Sequence, residues 1–153
     1  MSTSAVDTYA EANREHFDKT AKQYNNTPGA EAVARIAAEA MRGVYAFSDD
    51  EENGTVLLDF ACGTGESSFY QALDSFGPPL IMFLGLVSQA LAPYCKKIVG
   101  VDISQGMVDE FNSRVDNQGI PREEMHAVCL NILTGDGELS GQLFDVIVVC
   151  FSC

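Results

Sequence analysis

Residues 55–65 read Thr-Val-Leu-Leu-Asp-Phe-Ala-Cys-Gly-Thr-Gly, an apolar run that ends in a carboxylate and then in a Gly-x-Gly turn. A continuous apolar run of this length predicts a strand in the buried middle of a parallel sheet. Two glycines after the strand let the backbone turn sharply and let a ligand approach, and a following helix would offer free N–H groups. The stretch therefore predicts a nucleotide-cofactor pocket at the carboxyl end of this strand.

Strands and helices alternate around this stretch. The apolar runs predict strands over Val56–Phe60, Lys97–Val101, His126–Leu130 and Phe144–Cys150, and helical spacing predicts helices over Val6–Tyr24, from Pro28 to Val44, and over Ser104–Asn117. Such alternation implies parallel pairing with right-handed crossovers. We expect an α/β fold with a Rossmann-like, doubly wound, mostly parallel sheet of about four strands and N-terminal helices. Residues 1–54 would be an N-terminal helical cap segment, and 55–153 a partial cofactor-binding domain.

The charge of the chain argues against polyanionic partners. With 22 acidic and 9 basic residues, the formal net charge of the 153 residues is −13, and such a surface repels nucleic acid and anionic lipid.

The longest apolar stretch, Leu80–Val87, is far shorter than the roughly 20 residues that cross a bilayer. The N-terminal residues lack the basic and apolar regions of a secretory signal, so we expect a cytoplasmic protein without a membrane span.

The cysteines predict neither disulfides nor a metal site. There are five of them, an odd number, scattered along the chain, and reduced thiols are therefore expected. Cys150-Phe-Ser-Cys153 matches C-x-x-C, but it has no second ligand pair and precedes no helix. We therefore predict no bound metal.

Three motifs in order carry a resemblance to a known family. They are Asp59-x-Ala61-x-Gly63-x-Gly65 after the first strand, Val-Gly-Val-Asp-Ile-Ser at 99–104, and Phe-Asp-Val-Ile-Val at 144–148. Together they resemble the successive motifs of class I S-adenosylmethionine-dependent methyltransferases. Residues 16–24 also resemble the segment that closes over the cofactor in the ubiquinone-biosynthesis-like branch, which acts on small molecules. The resemblance implies a methyltransferase that uses S-adenosyl-L-methionine and a small-molecule acceptor, by a displacement that requires no metal.

The resemblance also assigns cofactor-binding roles to individual residues. It puts Asp59 and the turn of Ala61, Cys62, Gly63 and Gly65 against the methionine part of the cofactor, Asp102 at the ribose hydroxyls, Ile103 and Met107 on the adenine faces, and Asn131 with Ile132 near the adenine amino group. A carboxylate has enough lone pairs to accept both ribose hydroxyls. Ile103 and Met107 are equally explained as core residues. Ala61 stands where the family usually has its first glycine. Because acceptor-binding groups usually follow the fourth strand, no catalytic residue is named.

The spacing between Gly65 and Asp102 is too long for one crossover. It measures 102 − 65 = 37 residues, whereas a helix and a strand need only about 20. Without residues 66–85, Gly65 would join Leu86 and the separation would be 37 − 20 = 17. We predict that 66–85 is an insertion and hypothesise a retained in-frame intron, because Gly-Glu-Ser can be encoded with the splice-donor-like GTGAGT. A genuine lid or acceptor loop is the alternative.

The resemblance stops at the fourth strand, although the family continues with further strands. In the family's order the first strand lies between the second and the fourth, so Val146–Val149 would form an open apolar edge that invites aggregation. We expect the product alone to be poorly soluble or inactive. A catalytically incomplete cofactor-binding fragment and an NAD(P)-dependent oxidoreductase are the alternative functions, and the oligomeric state is open.

Overall fold

The computed structural model describes residues 5–21, 30–62, 85–131, 139 and 141–149. The helices are α1 (Ala5–Thr20), α2 (Ala30–Val44), α3 (Leu86–Leu91), which continues into a 3-10 turn at Ala92–Tyr94, and α4 (Gln105–Asn117); the strands are β1 (Val56–Phe60), β2 (Lys97–Asp102), β3 (Met125–Cys129) and β4 (Val146–Val149). The predicted strands are thus present, with ends that differ by one or two residues. The six-residue α3 was not predicted.

The four strands form one parallel sheet in the order β3-β2-β1-β4. The predicted position of the first strand between the second and the fourth is therefore confirmed. Asp59 pairs in register with Gly100 of β2, and Asp102 pairs with Cys129 of β3. Because the strands are parallel, their carboxyl ends meet at one edge of the sheet, which is where ligands bind in open α/β folds. The α/β Rossmann-like class is confirmed.

One face of the sheet packs against α3 and α4. The core there is built from fully buried side chains of all these elements: Leu57, Leu91, Ile98, Val115 and Met125. On α4 the buried residues recur at helical spacing, as Met107, Val108, Phe111 and Val115. Each large aliphatic side chain buried in this way contributes about 1.5–3 kcal/mol. This packing fixes the two helices whose N termini face the carboxyl edge of the sheet.

A side chain of α4 covers the backbone of the edge strand β3. The Asn112 side-chain amide donates to the Ala127 carbonyl oxygen at 2.9 Å, and its Oδ1 accepts the Ala127 N–H at 2.8 Å. Ala127 is 5% exposed, so these two backbone groups have little access to water. Asn112 therefore supplies the pairing that a neighbouring strand would give to β3.

None of the helices in the described part of the chain combines the length and the apolarity needed to cross a membrane.

Candidate cofactor-binding site

A cavity of about 440 Å³ opens at the carboxyl edge of the sheet. Its walls come from α1 and from the residues that end or follow β1, β2 and β3: Tyr9, Ala10, Asn13, Phe17, Phe60, Ala61, Val101, Asp102, Ile103, Leu130 and Asn131. Pockets for small ligands have volumes of a few hundred Å³ and mostly apolar walls with a few polar groups. The cavity has this character. Its polar groups are the side chains of Asp102, Asn13 and Asn131 and the Tyr9 hydroxyl, and its other lining side chains are apolar.

Asp102 is held where β2 turns into α4. It is 9% exposed, and its Oδ1 accepts the backbone N–H of Ser104 at 2.8 Å. Ser104 in turn caps α4, because its extended backbone lets the hydroxyl oxygen accept the N–H of Met107 at 3.2 Å. The orientation of the Asp102 carboxylate in the cavity is thus tied to the start of α4.

The turn after β1 begins in a strained conformation. Ala61 has a φ of 61°, a left-handed conformation that costs a residue with a Cβ about 1–2 kcal/mol. The next residue is fixed against the neighbouring strand, because the Cys62 N–H donates to the Val101 carbonyl oxygen at 3.0 Å. Burial raises the pKa of the Cys62 thiol well above its ordinary value. The left-handed φ explains why a glycine suits this position and shows that an alanine can be held there.

Asp59 lies on the other side of this turn, against α3. It is 1% exposed and is not among the residues that line the cavity. Its Oδ2 accepts the Ser88 hydroxyl at 2.5 Å, whereas Oδ1 is buried without a hydrogen-bond partner in the described structure. Burial raises the pKa of Asp59 to about 7, against the lowering effect of the Ser88 hydrogen bond.

Helix α1 reaches the site through one carboxylate. Oδ1 of Asp18 accepts the Ser104 hydroxyl at 2.6 Å and the N–H of Gly106 at 3.0 Å. These hydrogen bonds lower the pKa of Asp18. Because Asp18 follows Phe17, this contact holds the cavity-lining face of α1 over the carboxyl edge of the sheet.

The predicted site residues fall into three groups. Ala61, Asp102, Ile103 and Asn131 line the cavity, whereas Asp59, Cys62 and Met107 are buried outside its lining. Gly63, Gly65 and Ile132 lie outside the described residues.

Sequence reasoning missed most of the α1 wall and the partner of Asp59. Tyr9, Asn13 and Phe17 recur every four residues and share one helical face, which was a usable signal. The contact of Ser88 with Asp59 spans 29 positions, and no sequence pattern indicated it.

Gly85 lies against the turn that follows β1. A Cβ added to Gly85 would lie 3.1 Å from the carbonyl oxygen of Cys62 and 2.9 Å from Cδ2 of Phe111. Gly85 also has a φ of 73° and occupies the N-cap of α3. Residues 62 and 85 are therefore neighbours in space, and whether 66–85 is an insertion stays a prediction.

Residues 84–153 match the family model described as a methyltransferase domain. An uncharacterized methyltransferase of Schizosaccharomyces pombe is 39% identical over 101 residues, which cover 64% of this chain and 28% of that protein. The chain thus spans little more than a quarter of this relative's length.

Solved structures share the fold at low identity. Magnesium protoporphyrin IX methyltransferase from Synechocystis PCC 6803 with bound SAM aligns with a TM-score of 0.58 at 13% identity, over 96% of this chain and 64% of that one. The CcbJ methyltransferase from Streptomyces caelestis aligns with a TM-score of 0.51 at 21% identity, over 86% and 42%. Residues 84–153 thus match a methyltransferase domain, and the described fold is the Rossmann-like fold that these solved methyltransferases share.

Proposed function

We propose that this chain binds S-adenosyl-L-methionine and transfers its methyl group to a small-molecule acceptor. The observation that carries the proposal is the Asp102 carboxylate at the end of β2, in a cavity whose other walls are largely apolar. A carboxylate accepts the two adjacent hydroxyls of a ribose, and the apolar walls suit the faces of an adenine. The match of residues 84–153 to a methyltransferase domain supports the same reading.

The residues fit the parts of this cofactor in turn. Asp102 would accept the ribose hydroxyls, and Ile103 would pack on the adenine beside Asn131, whose amide oxygen can accept the adenine amino group. The methionine part would lie beside Ala61 and Cys62, where the resemblance also puts Gly63 and Gly65. Asp59, whose Oδ1 has no hydrogen-bond partner among the described residues, would receive the amino group of the methionine part. For Met107 and Ile132, a contact with the adenine is proposed on the resemblance alone.

The cofactor, when bound, supplies an electrophilic methyl group on a sulfonium. The contribution of the chain is to align the acceptor and to exclude water, because a displacement gains most from a fixed approach of the two reacting atoms. The side chains of Phe17, Phe60 and Leu130 provide apolar walls for this purpose. We assign no general base among the described residues.

A dinucleotide-dependent oxidoreductase fits the charges less well. Asp59 and Asp102 lie close enough for the charge of Asp102 to raise the pKa of Asp59, and two carboxylates beside the turn oppose a pyrophosphate. A catalytically incomplete cofactor-binding fragment remains the second candidate, favoured by the 60% exposure of Ile147 on the edge strand β4. The absence of nucleic-acid substrates is part of the proposal, because a net charge of −13 repels a phosphate backbone. A cytoplasmic location is proposed with it.

Calorimetric titration with S-adenosylhomocysteine and with NAD tests the cofactor. We expect S-adenosylhomocysteine to bind and NAD not to bind, with a loss of about tenfold or more in Asp102→Asn, since a hydrogen bond to a charged group contributes about 1.5–3 kcal/mol. Asp109→Asn, an exposed carboxylate on α4, is the matched control and should bind normally. Preferential binding of NAD would refute the proposal. Transfer of a labelled methyl group to a small-molecule extract then separates an enzyme from an incomplete fragment.

A further inference from the structure

Asp59 is an unusual residue for the middle of a parallel sheet. Its neighbours on β1 are apolar, and it is buried as completely as they are. Taking a carboxylate out of water is costly unless partners replace the water. Only part of this cost is offset. The Ser88 hydroxyl and the backbone N–H of Gly85 both stabilise the ionised carboxyl, whereas Oδ1 has no hydrogen-bond partner in the described structure.

The partner on Oδ2 is placed by α3. Ser88 is 0% exposed, and its neighbours Val87 and Leu91 belong to the hydrophobic core, so the helix cannot shift without disturbing that core. A hydroxyl has a single proton to donate, and Ser88 donates it to Asp59. The carboxyl group is therefore fixed about one of its two oxygens.

The other oxygen, Oδ1, has no hydrogen-bond donor among the described residues. Buried acceptors without partners are rare in native proteins, and a bound ligand is one explanation of those that occur. The other ionisable groups near Asp59 in the described structure are Asp102 at the end of β2 and the Cys62 thiol after β1. Asp102 repels a second negative charge, and a buried thiol of raised pKa stays neutral. A cationic donor is what this environment lacks.

We propose that Ser88 is a positioning residue of the cofactor site, which holds Asp59 through Oδ2 so that Oδ1 receives the ammonium group of the cofactor's methionine part. This inference rests on the proposed function. In the free chain near pH 7 the carboxyl is partly protonated, as its pKa of about 7 requires. When the ammonium group binds, Asp59 becomes fully ionised and any proton on its carboxyl group is released to solvent. The ammonium group keeps its own protons. Binding is therefore coupled to the release of up to one proton.

The test is calorimetric titration of the whole chain with S-adenosylhomocysteine in buffers of different ionisation enthalpy. At pH 7 we expect about half a proton to be released per molecule bound, because a group titrates halfway at its pKa. Ser88→Ala removes the donor and raises the pKa of Asp59 further, so it should release more than half a proton. Its affinity should fall about tenfold or more at pH 7, and the defect should shrink as the pH rises to 9.

Two further variants separate positioning from packing. Val87→Ala shortens a buried α3 neighbour of Ser88, so it should lower the unfolding temperature and leave the affinity and the proton count unchanged. Ser88→Cys keeps the size but donates weakly, and it should fall between wild type and Ser88→Ala. If Ser88→Ala does not fold, the affinity of Ser88→Cys and the number of protons released by the wild type test the role of Ser88 instead.

Two outcomes would overturn the inference alone: binding by the wild type without proton release, or an affinity loss in Ser88→Ala that is the same at every pH. If no variant and no wild-type sample binds S-adenosylhomocysteine, the proposed function fails and this inference fails with it.

Discussion

Replacing Asp59 by Asn should make the stability of the free chain less dependent on pH. The pKa of Asp59 is raised from 3.8 to about 7, mainly by burial. When the pKa of an acid is higher in the folded protein than in the unfolded chain, its protonated form stabilises the fold. This stabilisation is complete below the unfolded-state pKa and is lost as the pH rises through the folded-state pKa. Between pH 4 and pH 8, wild type should therefore lose free energy of unfolding that Asp59→Asn retains.

The magnitude follows from the size of the shift. A difference of 7 − 3.8, about 3 pKa units, corresponds to about 4 kcal/mol at 1.36 kcal/mol per unit. Most of the change falls between pH 4 and pH 7, and between pH 5 and pH 8 roughly 2.5 kcal/mol remains measurable. Asn keeps an oxygen that can accept the Ser88 hydroxyl, but its amide N–H groups bring a cost of their own. This cost is independent of pH, so the difference in slope is the quantity to measure.

Urea unfolding at a series of pH values, followed by circular dichroism, supplies the free energies. Asp109→Asn removes an exposed carboxylate of α4 and should follow the wild-type curve. Carboxylates with lowered pKa, such as Asp18 and Asp116, impose the opposite slope on all three proteins and cancel in the comparison. If wild type and Asp59→Asn lose stability in parallel from pH 5 to pH 8, the carboxyl is not held in the buried state described above.

Three other changes test separate parts of the molecule. Asn112→Ala leaves the N–H and carbonyl of Ala127 without partners and should cost about 2–4 kcal/mol in urea unfolding, whereas an unchanged midpoint would mean that water replaces the amide. Asp18→Asn weakens the contact with Ser104, so limited proteolysis should cut α1 sooner; equal cleavage rates would contradict its role. Deletion of residues 66–85 should leave a folded chain with at least the wild-type affinity for S-adenosylhomocysteine, and loss of binding would favour a genuine acceptor loop.

The sequence predicted the sheet well because its signals are local. β1 and β2 are continuous apolar runs, and each is followed by a turn or a capping residue within a few positions. Asp102 was recognised as a site residue for the same reason, since it ends β2 and precedes the Ser104 cap of α4. Adjacent residues decide these features, so no knowledge of the tertiary structure was needed.

Contacts between distant segments could not be predicted in this way. Asp18 meets Ser104 across 86 positions, and Ser88 meets Asp59 only because α3 packs beside β1. Helix α3 itself has six residues, too few for a helical period to stand out. The burial of Asp59 outside the cavity lining likewise depends on which face of β1 packs against α3, and the carboxylate alone did not indicate it.

The two edge strands of the described sheet differ in how far they are covered. At β3, the inward-held amide of Asn112 already occupies the N–H and carbonyl of Ala127, so an incoming strand would have to displace it. At β4, Ile147 and Val149 are 60% and 40% exposed. In the described part of the sheet, an α4 side chain thus occupies backbone groups of β3, whereas β4 presents apolar side chains that a further segment could cover.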